Sequence, residues 1–341
     1  MKIAVALSGG IDSAVTAYIL KEKNYQLLGI TFELFESQIE TIEKAKHIAH
    51  LLNIPHHVLD LKEFFKDEIV SYFVDSYAKG LTPNPCAWCN RKIKFGKVLE
   101  LAIKNLKIEK FATGHYVKIE NYKGKPLLKR AKDKNKDQSY FLALINCEII
   151  PYLIFPLGDF TKNEVRSLGK ILFNFLDYKE SQDICFLKNK TLKEFLSTYL
   201  PEKKGVVVYK DKIIGTHSGI QWYTIGQRKG LGIPLGKPLY IIDLDFKENK
   251  IILGEEKDLF SKGLILEDFN FHLPLNLWIN PSAQIRYKAP IAKVKDIIKN
   301  NNKEYRILFE TPVKGVTPGQ VCVFYENDFL LGGGVIKRAI K

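Results

Sequence analysis

The sequence predicts a mixed α/β protein with an open parallel-sheet domain first, a small β-rich domain next and an antiparallel β-barrel last. Three observations carry that expectation. Over residues 1–200, short apolar runs alternate with stretches of helical period, the pattern of a parallel sheet with crossover helices. After Pro201 the helical period fades, and β-branched runs such as Val206-Val207-Val208-Tyr209 lie between Gly-, Pro- and Asp-rich turns. From residue 262 onward short alternating strands recur, as a small barrel requires. Domains at 1–200, 201–261 and 262–341 follow.

Taken in order, strands are expected at 3–7, 27–32, 57–59 and 110–113, where Ile, Val, Leu and Phe cluster without helical spacing. Helices are expected between them at 13–23, 38–52, 62–77 and 92–106, where apolar residues recur every three or four positions. Two further helical segments, 138–144 and 162–173, follow a Lys- and Gly-rich connection at 121–137 that reads as a mobile surface loop. Barrel strands are expected at 283–287, 292–297, 304–309, 320–325 and 329–336. No internal repeat interrupts this order.

Composition narrows the function classes. Of the 341 residues 46% are hydrophobic, which excludes disorder as a description of the whole. No window approaches the roughly 18 consecutive apolar residues of a membrane span, so no membrane role is expected. The first apolar stretch is too short for a signal peptide and runs straight into a glycine turn. Five cysteines, odd in number and unevenly spaced, do not make a disulfide framework, and the cytoplasm is the expected compartment. The net charge of +14 is concentrated: residues 101–150 contribute +6 and residues 201–250 contribute +4, whereas residues 1–100 are balanced. Basic surfaces with interleaved aromatics fit a polyanion such as RNA, although a general lysine bias would give the same total.

Two segments carry the chemistry. The first strand ends in Ser8-Gly9-Gly10-Ile11-Asp12-Ser13, directly before a helix. Glycines let the backbone approach an anion, and the helix start aims free amides at the same point. Neither the Walker nor the dinucleotide pattern is present. The second segment, Thr82-Pro83-Asn84-Pro85-Cys86-Ala87-Trp88-Cys89-Asn90, sets a C-x-x-C at the start of a helix expected near Asn90. With Arg91, Lys92 and Lys94 following, these thiols are expected to have a depressed pKa. A third thiol stands in Ser181-Gln182-Asp183-Ile184-Cys185-Phe186. A redox pair, a zinc site lacking its second half and a sulfur-handling site all fit these residues. Cys147 and Cys322 lie in apolar surroundings and read as small core residues.

These segments, together with Ala112-Thr113-Gly114-His115-Tyr116, Lys136-Asp137-Gln138-Ser139-Tyr140-Phe141 and residues 223–232 (Tyr223-Thr224-Ile225-Gly226-Gln227-Arg228-Lys229-Gly230-Leu231-Gly232), resemble in order the bacterial tRNA-specific 2-thiouridylases. Arg286-Tyr287 and Thr317-Pro318-Gly319-Gln320 extend the resemblance to nearly the whole chain. It implies a pyrophosphate-loop domain and ATP-dependent replacement of the 2-carbonyl oxygen of the wobble uridine by sulfur in tRNAs for Lys, Glu and Gln. It also implies a persulfide-carrying donor, such as a cysteine desulfurase or sulfur relay protein, as partner.

Residue roles follow from the same resemblance. Ala6, Leu7, residues 8–13, Phe32 and Gly114 match ATP-binding positions, with Asp12 placing Mg²⁺ through ATP; Phe32 stands where methionine is common. Cys89 matches the catalytic nucleophile and Cys185 the persulfide carrier, and the two either close a disulfide or release sulfide. Asn84, Pro85 and Cys86 match the segment beside the target base. His115, Lys136, Asp137, Gln138, Arg286, Tyr287 and Gln320 match tRNA-binding positions. Many members have Asp where Cys86 stands, and three thiolates with a fourth position open also suit a four-iron four-sulfur cluster. Two rivals remain, an adenylyl transferase of the amidotransferase or lysidine type and a basic RNA-binding protein without turnover.

Overall fold

Five short strands pair side by side in one direction; the central ones are buried on both faces, the condition for a parallel sheet covered by helices, and the edge strand His56–Asp60 is largely exposed. The computed structural model describes residues 1–173, 184–187, 190–231 and 238–341. In chain order the first domain runs β1 (Lys2–Ala6), α1 (Ile11–Glu22), β2 (Gln26–Glu33), α2 (Ile39–Leu51) and β3 (His56–Asp60). A long helix follows, α3 (Lys62–Phe65) and α4 (Ser71–Ala78) joined by a π-wound stretch, Lys66–Val70. The next helix is α5 (Pro85–Cys89), a second π-wound stretch Asn90–Val98, and α6 (Leu99–Leu106). Then come β4 (Lys110–Ala112), the hairpin β5 (Val117–Tyr122) and β6 (Lys125–Arg130), β7 (Leu153–Ile154), α7 (Lys162–Phe173) and α8 (Leu192–Leu196).

The sheet order is β3-β2-β1-β4-β7, so the strand order reverses between β1 and β4. In open α/β sheets the crevice beyond the carboxyl ends of the strands at such a point is where ligands bind. The four expected strands of this sheet all form, with ends displaced by a residue or two.

Three expectations are corrected. Residues 121–137 are not a mobile loop: β5 and β6 pair from Val117↔Arg130 to Tyr122↔Lys125 around a two-residue turn, Lys123-Gly124, both at positive φ. The helix expected at 92–106 begins at Pro85, because Asn84 Oδ1 accepts the Ala87 amide at 3.0 Å and caps it. The C-x-x-C is therefore inside the helix rather than ahead of it. The helix expected at 138–144 is a single 3₁₀ turn, Ser139–Leu142.

The central sheet is β8 (Gly205–Tyr209), β9 (Lys212–His217), β10 (Tyr240–Asp245) and β11 (Lys250–Gly254), ordered β10-β11-β8-β9 over Val207, Ile241, Ile251 and Leu253. The last six strands are β12 (Phe260–Phe271), β13 (Ser282–Gln284), β14 (Ala292–Asn301), β15 (Glu304–Lys314), β16 (Val321–Glu326) and β17 (Phe329–Ile340). They pair in the order β12-β15-β14-β13-β16-β17, and β17 returns to β12, so the antiparallel barrel is closed. Among the described residues no helix is long and apolar enough to cross a membrane.

Among the bonds that tie the first domain to the barrel, two groups stand out. The Thr82 amide donates to Pro318 O at 2.9 Å, and Gln320 Nε2 donates to Thr82 O at 2.9 Å and Pro83 O at 3.3 Å, fixing the chain just ahead of α5. At the hairpin, the buried Glu326 carboxylate accepts from Tyr122 Oη (2.6 Å), Lys123 Nζ (2.8 Å), and the Ile279 and Asn280 amides. Burial alone would raise the Glu326 pKa; Lys123, Tyr122 and the two amides hold it instead at about 2. A carboxylate held below its unfolded value of about 4.3 stabilises the fold above that value and loses the contribution as pH falls toward 2. Urea unfolding should show Glu326→Gln destabilised by about 1–3 kcal/mol at neutral pH, with the gap closing on acidification through that window. A gap that stays constant with pH would contradict this account.

Candidate functional site

The loop after β1 is held in shape by its own residues. Ser13 Oγ donates to Gly10 O at 2.8 Å and accepts from the Ser8 amide at 3.2 Å, and Gly9 takes a left-handed φ of +70°. Gly10 precedes α1 in extended conformation with no side chain to cap the helix, leaving the helix start open to an anion. Ala6 ends β1, Leu7 follows it, and Phe32 lies near the end of the adjacent β2.

Opposite this loop stands a residue to which the sequence reading gave no role. Lys162 Nζ lies 2.7 Å from both Asp12 carboxylate oxygens, and Tyr116 Oη donates to Asp12 Oδ1 at 2.8 Å. Lys162 is only 5% exposed. It opens α7, where the helix dipole disfavours a cation, and that misplaced charge was the signal available in the sequence. Asp12, the residue expected to place Mg²⁺ through ATP, thus meets Lys162 at both carboxylate oxygens.

The segment after β4 reaches both halves of the site. A Cβ on Gly114 would lie 3.1 Å from Asp12 Cβ, so the backbone there is pressed on the loop. His115 is buried between Phe95 and Phe155, with Nδ1 2.6 Å from Thr113 Oγ1; burial first and the nearby Lys94 ammonium second keep its pKa well below 6.5, so it is neutral.

Cys86 and Cys89 lie on the first turns of the α5 helix, and Cys185 comes to the same place from a distant segment; Cys86 and Cys185 are exposed and Cys89 is buried. Burial pushes all three thiols up, Cys89 to about 12, and mutual repulsion adds to this for Cys89 and Cys185. The depressed values expected from Arg91, Lys92 and Lys94 do not occur. Arg91 pairs with Asp268 at 2.7 Å and Lys92 with Glu68 at 3.2 Å, so Lys94 alone of the three acts on the thiols, and desolvation exceeds its effect. Among the described residues no group of three His, Cys, Asp or Glu side chains is placed to hold a metal ion.

Comparison with known proteins settles the family. Residues 1–189 match the tRNA methyl transferase HUP domain, residues 193–255 the tRNA methyl transferase PRC-barrel domain and residues 261–336 the aminomethyltransferase beta-barrel domain. The tRNA-specific 2-thiouridylase MnmA of Aquifex aeolicus is 42% identical over the full length of both chains. The chain belongs to the tRNA-specific 2-thiouridylase family. Its relatives from Persephonella marina, 41% identical over 98% of this chain and all of theirs, and Halothermothrix orenii, 40% identical over 99% of each, carry the same name.

Other positions matched to this family divide by exposure. Arg286 is exposed and donates to Thr317 Oγ1 at 3.0 Å, while Tyr287 leans on Phe141. Arg228 and Lys229 are exposed in a glycine-rich turn whose Thr224 meets Thr82 at 3.4 Å. Asp137 is buried, its carboxylate accepting from the Ala131 amide and the Ser139 hydroxyl. Gln138 is bonded to the Tyr116 backbone through both its amide and its side chain, and Lys136 is half-buried beside it. His115, Gln320, Asn84 and Pro85 are buried and hold the site's backbone, so any contact from them is made through a position they fix. Ser181, Gln182, Asp183 and Gly232 lie outside the described residues. Cys322 is fully buried, as expected, and Cys147 half-buried. Iodoacetamide should alkylate Cys86 and Cys185 of the folded protein at least about tenfold faster than Cys89 and Cys322, as peptide mass analysis would read. Equal rates would contradict the exposures described.

Proposed function

We propose that the protein thiolates uridine in tRNA, and specifically that it replaces O2 of the wobble uridine of tRNAs for Lys, Glu and Gln by sulfur at the expense of ATP. One observation carries the reading. The four residues after β4 touch Asp12 of the anion loop through Gly114 and Tyr116, and His115 among them lies within electrostatic reach of Lys94, which also acts on Cys89. An activating site and a sulfur site thus share one wall. Similarity to 2-thiouridylases over the full length supports the same assignment.

The chemistry assigns a part to each side. A carbonyl oxygen is a poor leaving group, so uridine O2 attacks the α-phosphorus of ATP and pyrophosphate departs. The loop of residues 8–13 receives that pyrophosphate on the open amides of α1, and Lys162 supplies the adjacent positive charge. Ala6, Leu7, Phe32 and Gly114 line the adenosine. Sulfur then bonds to C2, and the C2–O bond breaks to release AMP with that oxygen. In the persulfide route the terminal sulfur on Cys185 attacks C2. The Cys89 thiolate next attacks Cys185 Sγ, leaving the transferred sulfur on C2 and a Cys89–Cys185 disulfide to be reduced before the next turnover. Cys86, with Asn84 and Pro85, stands beside the base. Exposed Arg286, Arg228 and Lys229 offer phosphate contacts whose effect would fall with salt.

The test is mass analysis of nucleosides from unmodified tRNA for Lys after incubation with the protein, ATP, Mg²⁺ and a sulfur source. 2-Thiouridine should appear without added iron. Cys185→Ser should abolish it while tRNA-dependent pyrophosphate release persists, and Lys162→Met should lower pyrophosphate release about a hundredfold. Product that appears only after anaerobic iron loading would replace the persulfide route by one through a cluster. No product under either condition would favour an adenylyl transferase on another substrate.

A further inference from the structure

The helix that carries Cys86 and Cys89 does not continue as a regular α-helix. From Asn90 to Val98 it is π-wound, closing i→i+5 hydrogen bonds that return to the same face only after between four and five residues. In an α-helix of 3.6 residues per turn, Lys94 would stand about 140° around the axis from Cys89. The wider winding brings position 94 back toward the face of position 89.

The sequence is built for that winding. A Cβ at Gly96 would lie 2.7 Å from the Arg91 carbonyl oxygen, five residues earlier in the same wide turn, so no other residue fits there without a shift. The neighbours of Lys94 on both sides, Ile93 and Phe95, are buried at 0% and 4% exposure, so the lysine stem leaves the helix on its inner side. Arg91 and Lys92, by contrast, lie against the ring of Trp88 and pair with Asp268 and Glu68 on the outside. Among the described residues Lys94 has no carboxylate partner. Its ammonium lies within electrostatic reach of Cys86, Cys89, Cys185 and the neutral His115.

We propose that the π turn, permitted by Gly96, delivers the Lys94 ammonium to the thiol site as its fixed positive pole, a positioning residue that stabilises the anionic sulfur of the transfer. The role rests on the sulfur-transfer reading above and deepens it. A cation held beside the thiols favours a thiolate or persulfide anion there over its protonated form, most strongly at the buried Cys89. The same cation on the outer face, exposed and paired, would do little.

The experiment follows iodoacetamide alkylation of Cys86 and Cys185 in the full-length protein across pH, read by peptide mass analysis. Lys94→Met should slow both about tenfold near pH 8 and move the midpoint of the profile up by about one pH unit. Lys94→Arg should recover most of the rate. Lys92→Met, which removes an equal charge from the outer face, should follow the parent profile. Gly96→Ala should reproduce the Lys94→Met shift, because restoring a tighter turn swings the ammonium away; if circular dichroism shows that it does not fold, the Lys94 and Lys92 variants decide alone. Superimposed profiles for Lys94→Met and the parent would overturn the proposal, as would an equal shift in Lys92→Met. A folded Gly96→Ala with the parent profile would overturn the part assigned to the π turn. The underlying function fails separately: a parent protein that makes no 2-thiouridine while its alkylation profile depends on Lys94 would remove the reaction and keep the pole.

Discussion

A buried ammonium against a carboxylate costs several kcal/mol of desolvation unless its bonds are complete, and the first domain meets that condition at one point. Lys162 spans both oxygens of Asp12, and Tyr116 adds a third bond. The three residues come from the helix after β1, the segment after β4 and the start of α7, so one ion pair locks together the elements that flank the strand-order reversal. Ile11, Val15, Leu157 and Val165 form one apolar cluster of the same elements. Removing either charge would strand the other, which is why the pair reads as a hinge pin for the anion loop rather than a surface ornament of the helix.

The sulfur side is built on a different principle. Its helix is capped by Asn84, approached through Pro83 and opened by Pro85, and clamped from the barrel by Gln320. Here hydrogen bonds to backbone carbonyls, each modest, act together to hold a segment whose own side chains are left for chemistry. Exposed Cys86 and Cys185 face solvent while Cys89 stays inside, so the three thiols differ in access though they share a charge environment.

Much of this was legible from residues alone, for identifiable reasons. The strands of the parallel sheet are continuous apolar runs, and the loop of residues 8–13 follows the first of them at a spacing only a strand-turn-helix satisfies. What escaped depended on neighbours distant in sequence. Lys162 looks like an ordinary surface lysine until the fold places Asp12, 150 residues away, beside it. The hairpin β5–β6 reads as a loop because its inward residues rest on the barrel rather than on a core of its own, as the stacking of Tyr122 on Phe329 at 4.2 Å shows. β12 was missed since its alternation is broken by bulges opposite Gly263 and Asn270. The thiol pKa values were misjudged because charge is visible in a sequence and desolvation is not.

The clamp on the cysteine helix joins residues 82 and 83 to residues 318 and 320. Contacts of such long sequence separation form late, because the intervening chain must first be ordered. During synthesis the anion loop and its parallel sheet emerge well before the strands that seat the thiols. The order of the chain thus works as a timer: the half that carries the anion loop can be shaped first, but the half that carries the thiols is completed only when the barrel closes. A ribosome-bound fragment is thereby kept from presenting an assembled sulfur site.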